Sequence, residues 1–253
     1  MDDHDKLALN LKPLGLKSAC ASCSVLELCL PLGLNDSEVK RLDDLIVQRV
    51  KIKKGNTLYR QGDPLHALYA VRLGFFKTTL TSEDGREQVT GFQMTGEMLG
   101  MDAISEDRHA CNAVALEDSE VCPIHFSQLE RLSRDLPSLQ HNLNKLMSRE
   151  IVRDHSLLLM MGNMNSDERL AAFFLNLSQR LSLRGYSPYS FILRMRREEI
   201  GSYLGLRLET ISRGIARLRE LNLLEVHARE VKILDPVGLK ALIAGCGQHA
   251  NPL

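Results

Sequence analysis

Between Val50 and Ile124, short β-like runs alternate with glycines, and this pattern constrains the fold more than any other feature of the chain. Seven glycines fall between positions 55 and 100, as the corners of a compact antiparallel roll or barrel require. Asp84-Gly85 separates two of the runs and is typical of a hairpin turn. The segment therefore predicts an antiparallel β domain.

From Phe126 onward the apolar residues follow a helical period. Pro137 suits the opening of a long helix, which we expect to run to about Met161. Residues along it alternate steps of four and three, as in a coiled-coil seam. The seam consists of Met147, Ile151, Asp154, Leu158 and Met161. The alternative is a helix that packs only on its own domain.

Asp154 makes the seam informative. In a parallel dimer two Asp154 carboxylates would lie close together and repel each other. The sequence therefore predicts a homodimer that forms only under certain conditions.

Capping residues place two shorter helices. Asn35 or Asp36 is a candidate cap for a helix before the β domain. Asn165, with Glu168 three residues later, resembles a capping box that starts a helix after the long one. Gly162 lies between the long helix and this start, and we expect a hinge and a domain boundary there.

Basic residues are concentrated in one stretch, although the net charge of the chain is zero. Residues 194–219 contain seven arginines and three glutamates. Within this stretch Glu198–Leu204 and Leu208–Leu221 suit two helices joined by a tight turn at Gly205-Leu206. This arrangement predicts a helix-turn-helix, and residues 223–234 after it predict a two-stranded wing. The alternative is an unrelated helix pair with a basic surface.

The outer face of the second helix carries the candidate DNA contacts. Arg213 can donate two hydrogen bonds to guanine, and Glu209 can accept one from cytosine. Arg217 is better suited to phosphates, which position a protein without specifying the sequence. The predicted DNA-binding residues are Glu209, Ser212, Arg213 and Arg217.

Cys20, Cys23 and Cys29 bring half of the six cysteines into ten residues. No apolar run reaches the length of a membrane span, and "MDDHDKLALNLK" lacks the layout of a secretory signal. We therefore expect a cytoplasmic protein without membrane partners, in which thiols stay reduced. A disulfide is then a weaker interpretation than a metal or cluster site. Both zinc and iron–sulfur clusters accept four thiolates, so the residues leave that choice open.

Enzymatic chemistry is not expected. The chain has no glycine-rich phosphate loop and no convincing nucleophile triad. A C-x2-C pair of thioredoxin type belongs near a βαβ unit, whereas here it precedes a helix and an antiparallel roll.

In the order of these parts the chain resembles the cyclic-AMP receptor protein/FNR superfamily of bacterial transcription factors. More narrowly, it resembles the FNR branch, named for fumarate and nitrate reduction regulation. The resemblance covers nearly all residues from Cys20 to Leu242. It is carried by "GSYLGLRLETISR" at 201–213 and by the spacing C-x2-C-x5-C with a distant fourth cysteine.

This resemblance implies an oxygen-labile [4Fe–4S] cluster. Its ligands would be Cys20, Cys23, Cys29 and Cys122. Cys111 and Cys246 would not be ligands. Because Cys111 lies close to Cys122 in the sequence, it stays an alternative to Cys122 as the fourth ligand. The aliphatic neighbours Leu26, Leu28 and Leu30 are candidates for limiting access of oxygen and water to the cluster.

The expected fold is α+β, with an N-terminal antiparallel β-roll of the cyclic-nucleotide-binding type, a long dimerisation helix and a C-terminal winged helix-turn-helix. The expected segments are the cluster segment at 1–34, the β-roll at 35–136, the dimerisation helix at 137–162 and the DNA-binding domain at 163–253. The expected function is an oxygen-responsive regulator that binds palindromic promoter DNA as an anaerobic dimer. Loops at 81–88 and 182–188 occupy places where the family contacts RNA polymerase.

A regulator of the same fold that responds to a small, cyclic-nucleotide-like effector, with a zinc or empty cysteine site, is the alternative. Gly96-Glu97 and Arg108 support it, whereas His109 replaces the small hydroxyl residue that would help to hold a phosphate. Ser212 before Arg213 also matches the FNR pattern and not the cyclic-AMP-binding one.

Overall fold

The computed structural model of the chain describes Cys20 and residues 23–24, 26–46 and 48–244. The chain divides into two compact units, and the division falls between Met147 and Ser148, inside the long helix. The segment boundaries expected from the sequence remain predictions. Cys246 and the acidic stretch at 1–12 lie outside the described residues.

The strands of the first unit form a β-roll. In chain order they are β1 (Val50–Ile52), β2 (Thr57–Tyr59), β3 (Ala67–Leu73), β4 (Phe75–Thr81), β5 (Glu87–Met94), β6 (Met98–Leu99), β7 (Asn112–Ala115) and β8 (Ser119–His125). They build two four-stranded antiparallel sheets, with strand orders β1-β8-β3-β6 and β2-β7-β4-β5. The predicted hairpin joins β4 to β5, where the Ser82 N–H donates to the Arg86 carbonyl oxygen at 2.9 Å. The antiparallel β domain is confirmed.

The α-helices flank the strands in the chain. They are α1 (Asp36–Asp43), α2 (Phe126–Asp135), α3 (Pro137–Asn163), α4 (Ser166–Ser182), α5 (Arg197–Leu204), α6 (Leu208–Glu220) and α7 (Pro236–Ala244). Asn35 caps α1 and Asn165 caps α4, each in a capping box closed by the glutamate three residues later. Among the described residues, no helix has both the length and the apolar character needed to cross a membrane.

The long helix α3 ends slightly later than expected. It runs to Asn163, so Gly162 lies in its last turn, and the hinge expected there stays a prediction. The next helix, α4, begins after Asn165. This residue is extended, and its side chain accepts hydrogen bonds from the first N–H groups of α4.

Two apolar clusters form the core of the first unit. Along β8, side chains alternate between the two faces of the sheet. Val121 therefore joins the cluster that contains Phe76. Cys122 and Ile124 join the second cluster, which gathers apolar side chains of α1, α2, β3 and the start of α3 around Leu30.

In the second unit the helix-turn-helix is confirmed. Gly205 joins α5 to α6 with a φ of 64°, a left-handed conformation that favours glycine. Gly201 in α5 lies so close to the turn that an added Cβ would stand 2.6 Å from the Leu206 carbonyl oxygen. This close approach fixes the packing of α5 on the turn.

The wing contains one strand more than predicted. Its strands β9 (Ser190–Ile192), β10 (Leu224–His227) and β11 (Glu230–Ile233) form a sheet in the order β10-β11-β9. Phe191 of β9 pairs with Val231 of β11. A run of three residues is too short to show the period of a strand, so β9 was not predictable from alternation.

Candidate metal centre and nucleic-acid interface

The four cysteines predicted as cluster ligands line one cavity of the first unit. Three come from the N-terminal segment, and Cys122 comes from β8. The remaining lining residues are Leu26, Leu30, Pro31, Leu42, Ile46, Ala70, Val71, Arg72 and Ile124. The fold therefore brings distant cysteines to a mostly apolar site.

The cysteine segment follows a period of three residues. The Cys23 N–H donates to the Cys20 carbonyl at 2.9 Å, and the bonds from Leu26 to Cys23 and from Cys29 to Leu26 repeat this step. Hydrogen bonds of this kind wind the chain at three residues per turn, so every third side chain faces the same way. Cys20, Cys23, Leu26 and Cys29 accordingly all face the cavity.

Contacts with the rest of the unit hold the segment in place. The backbone N–H of Cys20 donates to the carboxylate of Asp43 in α1. Leu28 packs on the turn after β5, where a Cβ added to Gly96 would stand 2.7 Å from the Leu28 Cβ. Leu28 is not among the cavity residues, whereas Leu26 and Leu30 are. Only the latter two therefore lie where they can shield a bound group.

Cys111 lies elsewhere in the unit. It is buried in the cluster that contains Phe76, and its thiol donates to the Asp102 carboxylate at 3.3 Å. The cavity lined by Cys122 does not include Cys111. Of these two cysteines, Cys122 is therefore the one that shares a cavity with the N-terminal cysteines.

The thiols in the cavity interact with one another. Burial raises the pKa of Cys29 to about 12, a hydrogen bond from the Leu30 backbone opposes this, and Cys122 and Cys23 raise the pKa further. Burial also raises the pKa of Cys122 to about 11. For Cys20, burial and then Asp43 raise the pKa well above its usual range. Burial therefore disfavours the thiolate forms of Cys20, Cys29 and Cys122.

Four cysteine thiols suit either a zinc ion or an iron–sulfur cluster. Among the described residues, no three Cys, His, Asp or Glu side chains converge on a point that could hold one metal ion. A zinc ion needs four ligands at about 2.0–2.3 Å from one centre. A [4Fe–4S] cluster takes one thiolate on each of its irons, so its ligands stand further apart around a larger body.

The recognition helix α6 presents the predicted DNA contacts on its outer side. Its inner side buries Ile211, Ile215 and Leu218. The Arg213 guanidinium lies 3.1 Å from the Glu209 carboxylate, and both side chains are exposed. This ion pair holds two candidate base-reading groups next to each other at the start of the helix.

Two further contacts concern the same face. Arg197 of α5 donates to the Ser212 hydroxyl at 3.4 Å. Arg217 lies 3.1 Å from Asp167 of α4, so it pairs within the protein where the sequence predicted a phosphate contact. The sequence places Arg197 in the arginine-rich stretch but does not predict its hydrogen bond to Ser212.

The predicted seam on α3 is partly exposed. Ile151 and Leu158 are 54% and 66% exposed, and Asp154 is exposed between them. Met147 is half-buried, and the Met161 side chain lies against Gly205 in the turn between α5 and α6. Large exposed apolar side chains indicate an interaction surface, which on α3 comprises Ile151, Val152, Leu158 and Leu159.

Arg169 of α4 was missed by the sequence reasoning. Its guanidinium donates to the backbone carbonyls of Met164 at 2.9 Å, Met161 at 2.7 Å and Leu204 at 3.1 Å. The cation therefore satisfies carbonyl groups at the C-terminal ends of both α3 and α5. No local motif marks an arginine with this role.

Comparisons with known proteins agree with this architecture. The family description "Cyclic nucleotide-binding domain" matches residues 49–135, and "Crp-like helix-turn-helix domain" matches residues 168–242. The "Transcriptional regulatory protein btr" of Bordetella pertussis is 50% identical over 224 residues, which are 88% of this chain and 93% of the relative. The "Fumarate and nitrate reduction regulatory protein" of Vibrio cholerae is 44% identical over 232 residues, or 92% of either chain.

The chain belongs to the FNR branch of the cyclic-AMP receptor protein/FNR family. The structure of FixK2 from Bradyrhizobium japonicum superposes with a TM-score of 0.71 at 27% identity, covering 77% of this chain and 96% of FixK2. This FNR-branch chain is a transcription regulator with a DNA-binding helix-turn-helix, and not an enzyme.

In this FNR-branch chain, Arg108 and His109 occupy the positions considered above for holding the phosphate of a small effector, and both make contacts within the β-roll. The Arg108 side chain donates to the Gly62 carbonyl at 2.8 Å. His109 is buried and stacks on Tyr59 with ring centroids 3.7 Å apart. Both contacts give these residues structural roles.

Proposed function

We propose that the chain is an oxygen-responsive transcription regulator that binds a [4Fe–4S] cluster and, as a homodimer without oxygen, binds palindromic promoter DNA. The observation that supports this most is that Cys20, Cys23, Cys29 and Cys122 line one cavity. When bound, the cluster supplies an oxygen-labile link between the N-terminal segment and β8.

The residues after Cys29 carry this link to α3. Asn142 in α3 donates to the backbone carbonyls of Leu30 and Leu32. Leu139, Leu143 and Leu146 pack in or against the same apolar cluster as Leu30 and Cys122. An ordered cysteine segment therefore stabilises the first turns of the helix that carries the seam.

Dimerisation then depends on a balance along α3. Burying Ile151 and Leu158 against a second copy favours the dimer, whereas two Asp154 carboxylates oppose it. A small stabilisation from the ordered cysteine segment is enough to shift such a balanced equilibrium. The dimer places two α6 helices one DNA turn apart on a palindromic site.

We also propose a contact with RNA polymerase in the cytoplasm, through the loops at 81–88 and 182–188. The first loop is the exposed hairpin between β4 and β5. In the second, Leu183 and Tyr186 are exposed. Exposed apolar side chains in a loop support a protein contact.

The test is the content of iron, acid-labile sulfide and zinc per chain, measured on protein purified without oxygen and again after exposure to air. We expect about four irons and four sulfides per chain, with both the cluster and the dimer lost in air. Cys122→Ser should abolish the cluster. Cys111→Ser, a matched buried thiol outside the cavity, should retain it.

Stable zinc, or no metal in protein prepared without oxygen, would contradict the proposal and favour a regulator of another signal. Loss of the cluster in Cys111→Ser with retention in Cys122→Ser would show that the fourth ligand is wrong.

A further inference from the structure

One residue of the cysteine cavity wall carries a charge. Arg72 lines the cavity, and its side chain is 25% exposed. It lies where the pairing of β3 with β8 shifts register between Val71 and Leu73. Its Nη1 donates to the Glu120 carboxylate at 2.9 Å, which fixes the guanidinium beside the strand that carries Cys122.

A second arginine shares the same carboxylate. The Nε of Arg49 lies 3.7 Å from the Glu120 oxygen, and the Arg49 side chain is 19% exposed. Two guanidinium groups and one carboxylate leave one positive charge uncompensated within this group. Two cations and one carboxylate therefore lie on the β8 side of the cavity, whereas the Asp43 carboxylate lies beside Cys20.

Both arginines also carry a buried donor without an acceptor. The Nε atoms of Arg49 and Arg72 are shielded from solvent and make no hydrogen bond. Buried donors are nearly always paired, since leaving one unpaired costs stability. Of the two, Arg72 lines the cavity, so its Nε is the candidate donor to an acceptor on a bound group.

The charges act on the cavity itself. Arg72 lines the same cavity as Cys122, and it is hydrogen-bonded to Glu120, which lies two residues before Cys122 on β8. A cluster held by four thiolates carries a net negative charge, because the thiolates outweigh the positive core, and its potential depends on that charge and on nearby hydrogen bonds.

We propose that Arg72 and Arg49 provide the counter-charge for the bound cluster and thereby slow its reaction with oxygen. This inference rests on the proposed function. If O2 took one electron from a bound cluster, it would become superoxide and the cluster would become less negative. A fixed cation stabilises the more negative state, so it opposes this transfer. Removing the cation speeds the loss of the cluster in air.

The experiment compares Arg72→Gln with Arg72→Lys in the full chain, loaded without oxygen. Decay of the cluster absorbance and release of iron are followed after mixing with air-saturated buffer. Arg72→Gln is expected to lose the cluster about three- to tenfold faster than the parent protein. Arg72→Lys keeps the charge and should decay at nearly the parent rate. Arg86→Gln, at a side chain 84% exposed in the β4–β5 hairpin, is the control and should leave the rate unchanged.

Decay of Arg72→Gln at the parent rate would overturn the inference. Equal acceleration in Arg72→Lys and Arg72→Gln would also overturn it, because the arginine would then act through geometry and not through charge. If a folded Arg72→Gln takes up no iron while Arg72→Lys does, the need for a counter-charge is supported. Absence of iron and sulfide in the parent protein would instead count against the proposed function itself.

Discussion

Asn142, in the second turn of α3, donates its side-chain amide to the backbone carbonyl of Leu30 at 3.2 Å. Leu30 follows Cys29 directly, and the same amide also reaches the Leu32 carbonyl at 2.6 Å. Asn142 is only 9% exposed. A single buried amide thus joins the cysteine segment to the helix that carries the seam.

Asn142→Ala should separate binding of the cluster from dimerisation. The change leaves one buried and one partly buried carbonyl oxygen without this donor, at a cost of about 1–3 kcal/mol in the free energy of unfolding. Because the cysteines remain, we expect the iron content without oxygen to be unchanged while the dimer fraction falls. Sedimentation and iron analysis of the same anaerobic sample measure both quantities.

Ser138→Ala is the matched control, since Ser138 lies one turn earlier on α3 and donates to Glu38 of α1 at 2.7 Å. It should leave the dimer fraction unchanged. An Asn142→Ala protein that dimerises as the parent does would show that this hydrogen bond does not carry the signal.

Asp154→Ala should dimerise even in air. The change removes the repulsion between two exposed carboxylates in the seam, and we expect the aerobic dissociation constant of the dimer to fall about tenfold, or about 1.4 kcal/mol. Asp154→Asn should behave in the same way, because it removes the charge and keeps the shape. His155→Ala, at the exposed neighbouring position, should have little effect. A strictly monomeric Asp154→Ala protein in air would contradict the interpretation of the seam.

The sequence predicts those features that depend on local order. The glycines and the Asp84-Gly85 turn predict the β-roll, and the apolar spacing around Gly205 predicts the helix-turn-helix. The predicted ligand set came from the family resemblance. That Cys20 and Cys29 face the same way follows from backbone hydrogen bonds repeated every three residues. The spacing of the cysteines alone does not reveal these bonds.

Contacts between distant residues escape this reasoning. Glu120 of β8 joins Arg49, which directly precedes β1, to Arg72 of β3, yet no local pattern marks any of the three residues for this contact. Asn142 likewise resembles any polar residue of an amphipathic helix. Their roles depend on tertiary packing, which a single sequence does not encode in its local pattern.

Arg213 and Arg217 should differ in their effect on DNA binding. Arg213→Ala removes a group placed to read a base and should relax specificity at one position of each half-site, at a cost of about 1–3 kcal/mol. Arg217→Ala should weaken binding to all sequences alike and reduce the salt slope by about one unit per site. Affinities for a matched and a mismatched site at several salt concentrations separate the two effects. If Arg217→Ala leaves the salt slope unchanged, its pairing with Asp167 persists on DNA and the predicted phosphate contact is wrong.

Arg169→Met should loosen the second unit without touching the DNA-reading face. Methionine keeps the apolar stem but removes all three hydrogen bonds to the carbonyls of Met161, Met164 and Leu204. Hydrogen bonds from a charged group contribute about 1.5–3 kcal/mol each and are not additive, so we expect a loss of about 3 kcal/mol in the free energy of unfolding. Faster amide hydrogen exchange should be confined to the ends of α3 and α5, because those carbonyls lose their donor. Arg219→Met, at an exposed arginine of α6, should change stability by less than about 0.5 kcal/mol. Equal destabilisation by both variants would show that the general loss of an arginine, and not the joining of two helix ends, determines the result.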